Sequence, residues 1–327
     1  MSFSGRDNTL WSGDSFDTIV FAGSHTIICA GAGNDRITIQ ATDPYWPWSY
    51  NLEFMTVYAG DGNGSIDAVG PDGVFHGGAG DDNINSVGAR STVHGGSGFN
   101  TIYVSGGDSL ITGGGDGNFI QFIGDRTEVR TGFGADTVTF SNSDAVRVDT
   151  RGGNDSINAI FVTNTMINAG SGDDTVTLSG QGNIVQGDRA ADTLTVTSGT
   201  HNTLIGGLGR DVMTDSSAPG GVTTFVFESI MDSRPGLTFA DVINGFTTGE
   251  DKIDLAGIDA EAGLAALVFA GAKGWSGTAG EVVVRALNGG ADARVVIDID
   301  GDGRMDSSII LTGVAAGTLS SSDFILG

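Results

Sequence analysis

The residues best placed to do chemistry are aspartates that close short glycine-rich turns. These turns read SGDSFD (12–17), AGAGND (30–35), AGDGNG (59–64), GGAGDD (77–82), GGSGFN (95–100) and GGGDGN (113–118). They continue as TGFGAD (131–136), TRGGND (150–155), AGSGDD (169–174), a worn GDRAAD (187–192) and GGLGRD (206–211). Glycine lets a backbone turn tightly and aim its carbonyl oxygens at one point. The sixth-position aspartate adds a carboxylate, and Ca²⁺ takes about six to eight oxygens in a flexible shell. Turns stacked one strand spacing apart can each supply half of that shell. The expected ligands are Asp17, Asp35, Asp82, Asp136, Asp155, Asp174, Asp192 and Asp211, with backbone oxygens from Gly33, Gly80, Gly134, Gly153, Gly172 and Gly209. Gly64, Asn100 and Asn118 replace the aspartate around the middle of the series, where sites should be weak or absent.

Without metal the carboxylates would face one another at about 5 Å. Each like-charged pair then costs about 1 kcal/mol in water and about 3 kcal/mol at an effective dielectric near 20. Summed along the column, that rivals a domain stability of about 5–15 kcal/mol. The glycine-rich edge is therefore expected to be loose in chelator. The alternative is a metal-free β-helix that uses Asp and Asn only as turn residues.

The elements that position these turns follow from their period. The turns recur every 18 or 19 residues, apart from one spacing of 29. Two residues after each sixth position stand Ile19, Ile37, Ile66, Ile84, Ile102, Ile120, Val138, Ile157, Val176, Leu194 and Met213. Two residues before each later turn stand Ile28, Val57, Phe75, Val93, Ile111, Val129, Val148, Ile167, Val185 and Leu204. Apolar residues flanked by polar or small ones mark short strands with one inward face. Each coil should run turn, three-residue strand, second turn, three-residue strand, and the stack should form two parallel sheets over a narrow core. The second turn keeps one glycine (Gly23, Gly70, Gly88, Gly106, Gly124 and Gly180) and no regular aspartate. Ligands are thus expected on one edge only.

Composition agrees. The 327 residues include 55 Gly but only 5 Pro, which excludes a collagen-like helix and points to repeated turns. The net charge of −25 repels nucleic acid and attracts cations, so no nucleic-acid partner is expected. The single Cys29 excludes an internal disulfide framework. No apolar run approaches the about 20 residues needed to span a membrane, so the chain is not expected to be transmembrane. Met1 to Leu10 lacks the basic and apolar regions of a cleaved signal peptide, so an export signal is expected elsewhere.

The GGxGxD repeat resembles the RTX β-roll of serralysin metalloproteases and of the R modules of alginate C5-epimerases. TFVFESIMDSRPGLTFADVINGFTTGEDKIDLAGID (224–259) is similar to the block that follows the β-roll in both families. Phe225 to Phe227, the run Asp241 to Phe246, and Asp251 to Leu255 carry that similarity. The resemblance implies an all-β, right-handed parallel β-roll of about eleven coils, with a C-terminal secretion-type β domain. It also implies an uncleaved C-terminal signal read by a bacterial type I secretion apparatus, here Asp323-Phe-Ile-Leu326 before Gly327. The expected domains are residues 1–218, the roll with an aromatic insertion at 41–54, and residues 219–327, a capping and secretion domain. No HExxH motif is present, which argues against a zinc protease, and no GxSxG elbow argues for a lipase.

Three features stand apart. DIDGDGRMD (298–306) begins like an EF-hand, with Asp298, Asp300 and Asp302 as candidate calcium ligands and Asp306 as a further candidate, but has Ile309 where the closing Glu belongs. A polar hairpin turn is the alternative. The position before each turn should point outward and reads Cys29, Tyr58, His76, His94, Thr112, Arg130, Asp149 and Asn168. Tyr58, His76, His94 and Arg130 could form an acid/base stripe for a uronic-acid polymer, with Arg clamping a carboxylate, or could be unrelated solvated residues. The insertion holds Tyr45, Trp46, Trp48 and Tyr50, which suit a glycan or partner platform or a hydrophobic plug.

The functional expectation is a secreted, extracellular protein that binds several calcium ions in one row, folds on export, and serves binding, structural or adhesion roles. Acidic polysaccharide or a cell-surface glycan is the candidate partner. The alternative is a lyase or epimerase acting on an acidic polysaccharide.

Overall fold

In a computed structural model, residues 2–40, 54–258 and 266–327 are described. The expected platform residues Tyr45, Trp46, Trp48 and Tyr50 lie outside them. The chain divides into two compact units, Met1–Asn158 and Ala159–Gly327.

The first unit is a stack of parallel coils. One sheet contains Thr18–Ser24, Arg36–Ile39, Ser65–Val69, Asn83–Val87, Thr101–Ser105, Phe119–Ile123 and Thr137–Ser141 in consecutive parallel register. The other contains Ile27–Gly31, Thr56–Asp61, Val74–Ala79, Thr92–Ser97, Leu110–Thr112, Glu128–Arg130 and Arg147–Asp149. Both apolar columns face inward as expected: Ile37, Ile84, Ile102, Ile120, Val57, Val93, Ile111 and Val129 are wholly buried.

Strand length differs from expectation in the first sheet. Thr101–Ser105 and Phe119–Ile123 each run five residues rather than three. From Thr18–Ser24 to Thr137–Ser141 each strand of this sheet presents a second inward side chain, giving a further column of Phe21, Ile39, Ala68, Ser86, Val104, Phe122 and Phe140. Phe122 and Phe140 stack in it with ring centroids 4.7 Å apart. The size of this side chain varies from coil to coil, so the column leaves no periodic signal.

The second unit begins with the same architecture. Thr175–Gln181, Thr193–Thr200, Val212–Asp215 and Asp241–Asn244 pair in parallel. So do Met166–Ser171, Ile184–Arg189, Asn202–Leu208, Thr223–Val226, Lys252–Asp254 and Phe324–Ile325. Antiparallel pairing then ends the pattern. Ser307–Thr312 lies parallel to Asp241–Asn244 but antiparallel to Asp292–Asp298, which pairs antiparallel with Glu281–Leu287. A parallel stack leaves an open strand edge that can recruit another chain. The meander covers the Asp241–Asn244 edge and adds Val283, Val295, Ile297, Ile309 and Leu311 to the core. Among the described residues, no helix is long and apolar enough to cross a membrane.

Candidate metal centre

The close stacking of the turns depends on glycine. Gly78 has φ +110°, and a Cβ there would lie 2.0 Å from the Gly60 carbonyl oxygen one coil away. Only a residue without a side chain lets successive backbones approach so closely.

That approach brings the sixth-position side chains into register. In the first unit, Asp35 Oδ1 accepts the backbone N–H of Asp17 at 2.8 Å, Asp82 Oδ1 that of Gly64 at 2.7 Å, and Asp155 Oδ1 that of Asp136 at 2.8 Å. In the second unit, Asp192 Oδ1 accepts from Asp174 at 2.9 Å and Asp211 Oδ1 from Asp192 at 2.8 Å. One oxygen of each carboxylate therefore ties its coil to the preceding one.

The other oxygen has no donor. Oδ2 of Asp17, Asp35, Asp82, Asp136, Asp192, Asp211 and Asp241 is buried without a hydrogen-bond partner. A buried, unsatisfied carboxylate oxygen is costly and calls for a cation or a proton. Backbone oxygens face the same spaces. A Cβ built on Gly77 would meet both Asp82 Oδ2 and Gly95 O at 2.4 Å. A Cβ on Gly187 would meet Asp192 Oδ2 at 2.2 Å and Gly206 O at 2.7 Å. Carboxylate and carbonyl oxygens thus line a common cradle, and this all-oxygen donor set suits a hard divalent cation.

Burial pushes the Asp82 and Asp155 carboxyls up to about 6, Asp211 to about 7, Asp192 to about 8 and Asp241 to about 9. The charge of Asp211 adds to the rise at both Asp192 and Asp241. Asp35 and Asp136 are raised as well, chiefly by burial.

Asp241 was missed as a member of this column. It lies 30 residues beyond Asp211, outside the 18-residue period, yet its Oδ1 accepts the Asp211 N–H at 2.8 Å. The second-turn edge is built differently. Ser91 N–H donates to Ser109 Oγ at 3.2 Å, and Thr165 N–H donates to Asn183 Oδ1 at 3.0 Å.

The 298–306 loop brings together Asp298, Asp300 and Asp306, whose oxygens lie within 4.8 Å of one another. Asp302 is not in this cluster; its Oδ1 accepts the Arg304 N–H at 2.8 Å. Asp298 is fully buried, but both its oxygens already accept backbone N–H groups, from Gly301 and Gly303, each at 2.8 Å. Those bonds shape the loop as a turn between Asp292–Asp298 and Ser307–Thr312.

On the outer face of the first unit, Tyr58, His76, His94, Thr112 and Arg130 fall in register on adjacent strands. Tyr58 and His76 stack at 4.5 Å with planes 7° apart, and His76 and His94 at 4.7 Å and 20°. His94 Nδ1 and Thr112 Oγ1 are 2.7 Å apart. Burial, then the charge of His94, holds the His76 imidazole below its ordinary range. Arg130 is tied to Glu128 on its own strand at 2.6 Å. A groove of about 520 Å³ opens beside this column, lined by His94, Thr112, Arg130, Phe133 and Arg151.

The family model of the peptidase M10 serralysin C-terminal domain matches residues 12–326. The metallopeptidase AprA of Pseudomonas marginalis is 40% identical over 92 residues, which are 28% of this chain and 18% of that protein. The chain therefore matches less than a fifth of that relative's length. Two solved structures are similar, both subunits of the Azotobacter vinelandii mannuronan C5-epimerase. AlgE6R2 is 24% identical with a TM-score of 0.31, over 49% of this chain and 85% of its own. AlgE6R3 is 23% identical with a TM-score of 0.31, over 49% and 77%. With the family model covering almost the whole length, the chain belongs to the serralysin C-terminal domain family and is an RTX-type parallel β-roll.

Proposed function

We propose that this is a secreted calcium-binding β-roll whose folding is driven by calcium. The observation that carries the reading is the column of buried Oδ2 atoms without donors, with those of Asp82 and Asp192 beside the Gly95 and Gly206 carbonyl oxygens of the next turn. Calcium there would be held by Oδ2 of Asp17, Asp35, Asp82, Asp136, Asp192, Asp211 and Asp241 and by glycine carbonyls such as Gly95 and Gly206. A cation that binds only the folded chain stabilises it by mass action. Low free calcium inside a cell would leave the acidic chain unfolded for passage through a type I apparatus, and higher calcium outside would fold it. Family membership supports this export route. Titrating calcium into chelated protein should restore the far-UV strand signal cooperatively; a spectrum that ignores both chelator and calcium defeats the reading.

A second reading concerns the outer face, as a binding surface or catalytic site for an acidic polysaccharide. It is supported by the stacked Tyr58, His76 and His94 rings, whose 4.5 and 4.7 Å spacings present a continuous aromatic strip ending near Arg130. Aromatic faces take the apolar faces of sugar rings, and a guanidinium forks onto a carboxylate. Incubating the calcium-loaded protein with polyuronates separates the cases. New unsaturated ends or epimerised residues indicate an enzyme, retention without turnover a binding module, and neither result removes the reading.

A further inference from the structure

Asn100 and Asn118 stand at the turn position that carries aspartate in neighbouring coils. Each keeps the structural bond of the aspartate. Asn100 Oδ1 accepts the Asp82 N–H at 3.0 Å, and Asn118 Oδ1 accepts the Asn100 N–H at 3.1 Å. The difference lies in the second side-chain atom. Asp82 Oδ2 has no donor and shares its space with Gly95 O. In the next coil Asn100 Nδ2 donates to Gly113 O, Gly98 O and Asn118 Oδ1, each at 3.1 Å. Asn118 Nδ2 donates to Asp136 Oδ1 at 2.9 Å and to Asp116 O at 2.5 Å.

The same device recurs independently on the second-turn edge of the other unit. Asn183 Nδ2 donates to Asn202 Oδ1 at 3.0 Å and Val162 O at 3.2 Å. Asn202 Nδ2 donates to Gly180 O at 3.0 Å. All four asparagines have both side-chain polar atoms hydrogen-bonded, while Asp82, Asp136 and Asp192 on the first edge each keep an orphaned oxygen.

We infer that the Asn100 and Asn118 amides substitute for cations, so that these two turns close internally and the calcium row is interrupted between Asp82 and Asp136. An amide N–H₂ puts positive hydrogens where an ion would otherwise sit between a side-chain oxygen and the carbonyls of the next turn. It carries no net charge, so it also removes two carboxylates from the like-charged column. The central coils are thereby independent of metal, and cooperative calcium binding is confined to the turns on either side. This rests on the calcium reading for its metal arm and on hydrogen bonding alone for its stability arm.

The test exchanges the two chemistries in opposite directions. Asn100→Asp with Asn118→Asp should raise the number of calcium ions bound per chain, measured by equilibrium dialysis, and lower the melting temperature in chelator. Asp192→Asn should do the reverse, binding less calcium and melting higher in chelator than the unaltered chain. A double variant that gains no calcium, or an Asp192→Asn that melts in chelator at or below the parent, overturns the inference. Should the double variant fail to fold, Asp192→Asn still decides. If the unaltered chain binds no calcium at all, the calcium reading fails, while the chelator melts of Asp192→Asn still judge the amide substitution.

Discussion

Asp241 Oδ1 accepts the backbone N–H of Asp211 at 2.8 Å, although 30 residues separate them. The carboxylate column therefore outlasts the regular repeat, and its last member is the one whose carboxyl is pushed highest, to about 9. Asp241 is fully buried, and its own N–H donates to Ser233 Oγ at 2.8 Å. Removing this side chain by Asp241→Ala should lower calcium stoichiometry and leave the Asp211 N–H without its acceptor. Loss of one buried partner costs about 1–3 kcal/mol. A thermal melt in calcium should show a clear drop; unchanged melting and stoichiometry would remove Asp241 from the metal column.

The pH dependence follows from the raised carboxyls. In the unfolded chain these aspartates titrate near 3.9, whereas Asp82, Asp211 and Asp192 titrate near 6, 7 and 8 when folded without metal. A raised folded value means that the folded state binds protons more tightly. Its stabilising contribution is present below the unfolded value and is lost as pH rises through 6 to 8. In chelator the protein should melt higher at about pH 5 than at about pH 8. With saturating calcium the trend should flatten or invert, because protons compete with the ion for the same oxygens. Melting in chelator that rises steadily with pH would contradict the burial of these groups.

Gly78 offers a purely steric check. An alanine there must hold φ +110° and place Cβ 2.0 Å from Gly60 O. Strain of this kind costs more than about 1 kcal/mol. Gly78→Ala should melt lower even in excess calcium, whereas alanine at Gly115, where nothing lies within 4 Å, should change little. Equal effects at the two positions would show that stacking does not depend on the close approach.

What could be read from the sequence was whatever repeats with fixed identity. The Ile and Val columns and the turn aspartates return every 18 or 19 residues, so each reinforces the next. The second inward column escaped because Phe21, Ala68, Ser86 and Phe122 share a position but no size or polarity. Asp241 escaped because the chain between coils lengthens there. Asp306 was legible as a candidate ligand of its loop, and the hairpin brings it, rather than Asp302, together with Asp298 and Asp300. The substitution of Asn100 for Asp was visible as a weakened site. That its amide fills the vacated role depends on where Gly98 O and Gly113 O point, which spacing alone does not give.

The outer strip gives the last expectation. His76 is held below its ordinary range by burial and by the charge of His94, so it presents a neutral ring on the strip at neutral pH. The Arg130 guanidinium would draw a carboxylate-bearing sugar toward the groove that it lines with His94, and Tyr58 and His76 would extend the surface on which further rings lie. Retention on an immobilised polyuronate should therefore weaken as salt is raised, because exposed charges are screened. Arg130→Ala should weaken retention and flatten its salt dependence by removing the fork, and His94→Ala should weaken it by removing the last ring of the strip. Tyr58→Ala should weaken it without altering the salt dependence, since a stacking ring contributes no charge. Far-UV spectra in calcium would verify that each variant retains its strands. Retention that is indifferent to all three substitutions would leave the stacked rings as surface packing between adjacent coils.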